Sequence, residues 1–91
     1  MKPKITDPYH ILKHPVSTER TVRMIEAENK LVFIVDKKAT KSDVKKAMEE
    51  LFKVKVKKVN LLNSLDGKKK AYIQLASSHL ASDLSAELGL I

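Results

Sequence analysis

Short runs of apolar residues alternate along this chain with segments in which apolar residues recur every three or four positions. Residues 31–35 are apolar at both parities, which predicts a strand buried on both faces. Residues 40–52 repeat apolar side chains at i, i+3, i+4, i+7 and i+8, which predicts an amphipathic helix. Thr40 and Asp43 stand at its start in a spacing that resembles a capping box.

The pattern after this helix predicts a β-hairpin. The apolar alternation in residues 54–62 slips by one position at Lys57-Lys58, so a β-bulge is expected there. Asp66-Gly67 supplies the turn, and the returning strand places Lys70, Tyr72 and Gln74 outward. We expect the neighbouring lysines at 68–70 to share that outer surface with the tyrosine.

The remaining elements complete an α/β (α+β) sandwich. A short strand at 11–13 is expected before His14-Pro15, followed by a helix capped by Ser17 or Thr18. A last helix is expected to be capped by Ser77 or Ser78 and ended by Gly89. The order (β)αβαββα predicts a small antiparallel or mixed sheet with helices on both faces. We expect residues 1–10 to be a short basic N-terminal arm and residues 11–91 to be a single domain.

Composition indicates a polyanionic partner. The chain has 18 basic and 11 acidic residues, a net charge of +7, and 16 of the basic residues are lysine. Lysine supplies point charge rather than the bidentate fork of arginine, which favours contact with a phosphate backbone over reading of bases. The longest purely apolar run is Leu31–Val35, so no membrane span is expected, and the absence of cysteine is compatible with the cytoplasm.

The sequence gives no sign of catalysis, a metal site or a cofactor. His10 and His14 are four residues apart, but Pro8 and Pro15 bracket them and oppose the helix that zinc binding would need. Two glycines are too few for a glycine-rich phosphate loop, and no Ser, His and Asp set has a nucleophile motif.

Several surface residues have two interpretations each. The lysines at 37, 38 and 41 adjoin a helix N-terminus, which favours an anion site, although surface lysine is commonly only solvated. Asn60 and Asn63 can bond a ribose, phosphate or base, or can serve turn chemistry. Tyr72 can stack on a base, or can simply favour a strand.

Four segments resemble the family of large-subunit ribosomal protein L23: KHPVSTER (13–20), NKLVFIVD (29–36), ATKSDVKKAMEELFKVKVKKVN (39–60) and DGKKKAYIQL (66–75). The resemblance implies a cytoplasmic, non-enzymatic protein that is a monomer within the large ribosomal subunit. It implies binding to large-subunit ribosomal RNA beside the polypeptide exit tunnel, next to ribosomal protein L29. The expected RNA-binding residues are Lys13, His14, Lys37, Lys38, Thr40, Lys41, Lys57, Asn60, Asn63, Lys68, Lys69, Lys70 and Tyr72.

Two departures from the bacterial and eukaryotic patterns indicate an archaeal-type form. Only a few residues around 64–67 join the hairpin strands, where bacterial members carry a long basic tip, and the N-terminal arm is shorter than in eukaryotic members. Glu19 matches the acidic position at which bacterial relatives dock a chaperone. It is therefore a candidate docking residue for signal recognition particle or nascent-chain factors, or else a favourable first-turn charge.

A second class of function remains open from the residues alone. A similar α/β sandwich could serve as a small dimeric DNA- or ligand-binding regulatory module. That function predicts a symmetric dimer with a self-complementary apolar surface.

Overall fold

A computed structural model of the protein describes residues 11–89. This part of the chain contains four strands and three helices, in the predicted order. They are β1 (Leu12–Pro15), α1 (Glu19–Glu28), β2 (Lys30–Val35), α2 (Lys41–Phe52), β3 (Val56–Asn63), β4 (Lys69–Leu75) and α3 (Ala81–Glu87). The predicted basic arm at 1–10 lies outside the described residues.

The four strands form one antiparallel sheet in the order β1-β2-β4-β3. Strand β1 continues to Pro15, two residues further than the sequence indicated. Because β1 is an edge strand, the missing N–H of proline can face away from the sheet at little cost.

The predicted bulge in β3 is confirmed. The register of β3 against β4 shifts between Val56 and Lys58, which pair with Leu75 and Gln74. As a result Val56 and Val59 are both buried although they are three positions apart.

One apolar cluster joins the helices to the sheet. It contains the odd-numbered apolar residues of β2 and β4, buried residues of α2, and Ile25, Ala81 and Leu84 from α1 and α3. The rings of Phe33 in β2 and Phe52 in α2 lie 6.1 Å apart, so α2 covers this sheet face. The opposite side of β2 is also buried, at Val32 and Ile34, as the sequence predicted.

Local hydrogen bonds explain where the first two described helices begin. Thr18 and Thr40 each accept a bond from the backbone N–H three residues on, and the side chains of Thr21 and Asp43 bond back to the cap N–H. These reciprocal capping boxes satisfy two free donors at each helix start. The prediction of Thr40 with Asp43 is confirmed, and Thr18 rather than Ser17 caps α1.

The start of α3 differs from the expectation. Neither Ser77 nor Ser78 caps it, because the helix begins only at Ala81 and Leu80 holds the cap position without a side-chain bond. The side chain of Asn29 replaces the local cap, since its Oδ1 accepts a bond from the Ala81 N–H at 2.6 Å. Gly89 follows the helix with a φ of 76°, as predicted for a left-handed ending.

The predicted α+β fold is confirmed, with the antiparallel alternative for its sheet. The expectation of helices on both faces is wrong, because buried residues of all three helices join one apolar cluster with the odd-numbered residues of β2 and β4. Within residues 11–89, none of the helices has the length and apolar character needed to cross a bilayer.

Candidate nucleic-acid interface

The face of the sheet opposite the α2 face carries cross-strand rows of polar, basic and apolar side chains. We call it the second sheet face. Because directly paired residues of antiparallel strands point to the same side, the pairing defines its rows. They are Lys30, Gln74 and Lys58; Val32, Tyr72 and Asn60; and His14, Ile34, Lys70 and Leu62.

Tyr72 lies at the centre of this face. It is half-buried between Val32 and Asn60, and neighbouring rows place Lys58 and Lys70 on either side of it along the strands. A π-surface beside an amide and between two cations can stack a base while the lysines contact phosphates.

A second group of cations lies at one end of the sheet. Val35, the last residue of β2, pairs with Lys69, the first residue of β4, so the loop before α2 adjoins the hairpin turn. Lys37, Lys38, Lys41 and Lys68 are all exposed here. These four residues, which we call the tip cluster, come from two segments that the sequence analysis had treated as separate basic groups.

Lys69 does not share the outer surface with Tyr72, contrary to the expectation. Lys69 lies on the same side of β4 as Ala71, two positions further along the strand. Its Nζ donates to the backbone carbonyls of Lys37 at 3.3 Å and Ala39 at 2.9 Å. The strict alternation of a strand separates neighbouring lysines between the two faces. Lys69 therefore holds the loop before α2 against the hairpin, and Lys70 is the lysine beside Tyr72.

Acidic residues shape the two turns that present the tip cluster. Asp36 Oδ1 accepts a bond from the Lys38 N–H at 2.8 Å, and Asp66 Oδ1 accepts one from the Lys68 N–H at 3.2 Å. The Ser64 side chain and the Lys68 amide, aided by the charges of Lys68 and Lys70, hold the pKa of Asp66 below its ordinary value. Each carboxylate thus fixes the backbone from which a lysine projects.

The start of α2 is a weaker anion site than the sequence suggested. The Thr40 hydroxyl accepts the Asp43 N–H at 3.2 Å, and the Asp43 carboxylate accepts the Thr40 N–H at 3.0 Å. A negative charge therefore already lies at this helix end. The flanking lysines, rather than free helix N–H groups, are what this end offers to a phosphate.

The remaining candidates lie apart from one another. Lys13 and His14 are exposed on the edge strand β1, with His14 Nδ1 3.3 Å from the Pro15 carbonyl. Asn63 is exposed opposite Lys69 at the end of β3, and Lys57 is exposed beside the bulge.

Lys58 also lies on the second sheet face, although it is not among the RNA-binding residues expected from the sequence. Lys58 pairs with Gln74, in the row next to Tyr72. The sequence contains the pattern that predicts this position. After the shift in apolar alternation at 57–58, Lys58 and Asn60 are two positions apart and so lie on the same side of the strand.

Nearly all cations of the described chain lack an acidic partner. Between residues 11 and 89, one ion pair is formed, from Lys30 Nζ to Glu28 Oε1 at 3.2 Å. No lysine of the tip cluster or beside Tyr72 therefore forms an ion pair in this range, although the charges of Lys68 and Lys70 act on Asp66, and in this sense we call these lysines unneutralised. No group of three metal-ligating side chains occurs in the same range.

These features define a class: a small α+β protein whose sheet and turns hold unneutralised lysines in fixed positions. Comparison with known proteins identifies the family. The family model described as Ribosomal protein L23 matches residues 10–80. A protein of Methanococcus aeolicus named large ribosomal subunit protein uL23 is 51% identical over 84 residues, which cover 92% of this chain and 98% of that protein.

A protein of the same name from Methanococcus maripaludis is 44% identical over 84 residues, with the same coverage of both chains. The chain belongs to the ribosomal protein L23 family. It is accordingly a structural ribosomal protein and not an enzyme, and both of these relatives come from the archaeal genus Methanococcus. This membership favours the ribosomal function over the dimeric regulatory module.

Proposed function

We propose that this protein is a cytoplasmic, structural constituent of the large ribosomal subunit that binds the subunit's ribosomal RNA. Its curated relatives carry that subunit in their names and align with nearly the whole chain. The observation that carries the RNA-binding part is the set of unneutralised lysines in the tip cluster and on both sides of Tyr72.

The proposed mechanism is charge neutralisation by a rigid array. Lysines that replace condensed counterions on phosphates gain affinity without reading sequence. The array is held in register by the Lys69 bonds between loop and hairpin and by the two acidic turns. Because the backbone around the lysines is fixed, little ordering of that backbone accompanies binding.

The second sheet face suits an unpaired nucleotide better than a regular duplex. The bases of an A-form helix are stacked and its deep groove is narrow, so a ring on a flat sheet cannot reach them. A splayed base can lie on Tyr72, while Asn60 can bond its edge or a ribose hydroxyl. We therefore propose a looped or bulged segment of ribosomal RNA as the ligand of this face.

We further propose the placement that the family resemblance implies. The protein lies beside the polypeptide exit tunnel next to ribosomal protein L29, as a monomer. Its hairpin turn at 64–68 is too short to project far into the tunnel. Glu19, exposed in the first turn of α1, is the proposed contact for signal recognition particle or nascent-chain factors.

Charge reversal tests the RNA-binding proposal. Lys70→Glu should weaken binding to a transcript of the large-subunit RNA by about tenfold or more, because a phosphate contact becomes a repulsion. The matched control is Lys46→Glu on the exposed side of α2, away from both cationic surfaces. Filter binding at fixed moderate salt measures both. Equal losses for the two variants would contradict a special role for the second sheet face.

The docking proposal has its own test. Glu19→Lys in assembled subunits should reduce cosedimentation of purified signal recognition particle, whereas Glu26→Lys, an exposed charge on the same helix, should not. Unchanged cosedimentation for both variants would leave Glu19 with only its favourable position at the helix start.

A further inference from the structure

A groove with a mixed polar and apolar lining lies at the end of the molecule far from the tip cluster. Its volume is about 510 Å³, and it runs between the C-terminal end of α2 and helix α3. Phe52 and Leu80 present apolar surface in it, Val54 and Leu84 are almost wholly buried in its lining, and Asp83 and Glu87 are exposed at the rim. We call this feature the α3 groove.

Leu80 is a residue that local structure does not explain. Its side chain is 55% exposed. It also occupies the cap position of α3, where serine, threonine, aspartate or asparagine would stabilise the helix and leucine does not. An exposed leucine at a helix cap departs from the usual residue preference of that position, and such departures concentrate at functional sites.

The charge around the groove is opposite to that of the rest of the chain. Residues 77–91 contain two acidic residues and no basic one, whereas all 18 basic residues lie within 1–76. Those two acidic residues, Asp83 and Glu87, are the ones at the rim, with Lys53 as the single cation of the lining. A phosphate would find weak support here, while a lysine or arginine of a partner would find a carboxylate.

The groove and the tip cluster can be occupied together, because they lie towards opposite ends of β3. Strand β3 begins near the groove at Val56 and ends beside the tip cluster at Asn63. Its eight residues span about 25 Å at the usual rise of a strand.

We propose that the α3 groove binds a basic segment of another protein. The segment inserts an apolar side chain against Leu80, Phe52 and Leu84, and places lysine or arginine beside Asp83 and Glu87. An apolar anchor in a pocket with charged groups at its edge is the usual arrangement of a peptide-binding site. This interaction is independent of the RNA-binding proposal, since it uses other residues and the opposite sign of charge.

The probe is a labelled hexapeptide of two leucines flanked on each side by two lysines, with a second peptide carrying glutamates in place of the lysines. In ¹⁵N-correlation spectra of the full chain, the lysine peptide should shift amides of residues 52–54 and 77–87 in a saturable way. The glutamate peptide should leave them unchanged. Equal shifts with both peptides, or shifts confined to other residues, would overturn the proposal.

Leu80→Ser separates binding from folding. Serine restores a capping hydroxyl, so the variant should melt no lower than the parent protein, yet it should lose about tenfold in peptide affinity because the apolar anchor is gone. Leu65→Ser, at a fully exposed leucine of the hairpin turn, is the matched control and should leave affinity unchanged. Asp83→Lys should also lose affinity, and the salt dependence of peptide binding should become weaker because Glu87 is then the one remaining acidic residue of the rim.

The same variants distinguish the two proposals. Leu80→Ser should retain RNA binding, and Lys70→Glu should retain peptide binding. Undiminished peptide affinity in Leu80→Ser would overturn the groove proposal and leave the RNA-binding proposal intact. Self-association of the free chain that Leu80→Ser abolishes would overturn it too, since a second copy would then be the occupant.

Discussion

At the scale of single residues, Asn29 joins parts of the fold that are distant in sequence. Its Nδ2 donates to the carbonyls of Leu75 at 3.2 Å, Ala76 at 3.4 Å and His79 at 2.9 Å, while its Oδ1 caps α3 at Ala81. Its backbone has a left-handed φ of 56°, which asparagine tolerates better than most residues. The backbone of Asn29 therefore ends α1, while its side chain starts α3 and fixes the end of β4.

Asn29→Ala should lower the free energy of unfolding by about 2–4 kcal/mol, because buried backbone groups lose their partners and alanine is strained at this φ. Urea denaturation followed by circular dichroism measures the loss. Asn29→Gly removes the same bonds but relieves the strain, so it should cost less. A loss below about 0.5 kcal/mol for the alanine variant would contradict the bridging role.

Lys69 and Lys70 are neighbours with different predicted roles. Lys69→Met should lower stability by about 1 kcal/mol, because the carbonyls of Lys37 and Ala39 lose their donor. Lys70→Met should leave stability unchanged and weaken RNA binding. Chemical denaturation and filter binding of the two variants test this crossed pattern, and an RNA-affinity loss limited to Lys69→Met would reverse the assignment.

Among single elements, the hairpin turn couples to pH through Asp66. Because the pKa of Asp66 in the folded protein lies below its ordinary value of 3.8, the ionised form stabilises the turn. This contribution is complete above about pH 3.8 and is lost as pH falls through the lower folded-state pKa. NMR titration should show the Lys68 amide shifting with the protonation of Asp66, and Asp66→Asn should abolish the shift. A pKa of 3.8 or above would contradict the assignment.

The start of helix α2 depends on its capping box. Thr40→Ala should cost about 1 kcal/mol of unfolding free energy, since the Asp43 N–H loses its acceptor. The loss should be smaller in an Asp43→Ala background, because the two side chains act together. Ser42→Ala, an exposed position in the same turn, should change stability little. Equal losses at positions 40 and 42 would count against the box.

Elements could be predicted where the signal is local. The two-sided burial of β2, the parity slip at 57–58, the Asp66-Gly67 turn and the ending at Gly89 all follow from residues within a few positions of one another. The start of α3 could not be predicted in this way. Its cap comes from Asn29, 52 positions earlier in the chain, and no local pattern contains that bond.

At the scale of the whole molecule, charge varies along the sheet. The tip cluster and the acidic rim of the α3 groove lie towards opposite ends of β3, and the lysines of the second sheet face lie between them, with Lys58 towards the groove end. The sequence revealed the surplus and its uneven distribution. It did not show which lysines face together, because the loop before α2 and the hairpin meet through contacts between residues distant in sequence, the pairing of Val35 with Lys69 and the Lys69 Nζ bonds to the loop.

The central claim is that these fixed lysines bind ribosomal RNA by neutralising phosphates. The most direct measurement is the affinity of the purified protein for a large-subunit RNA transcript over a series of salt concentrations. With about six to eight phosphates neutralised, the logarithm of the association constant should fall against the logarithm of salt with a slope of roughly −4 to −7. A slope near −1, or no binding at low salt, would contradict the account.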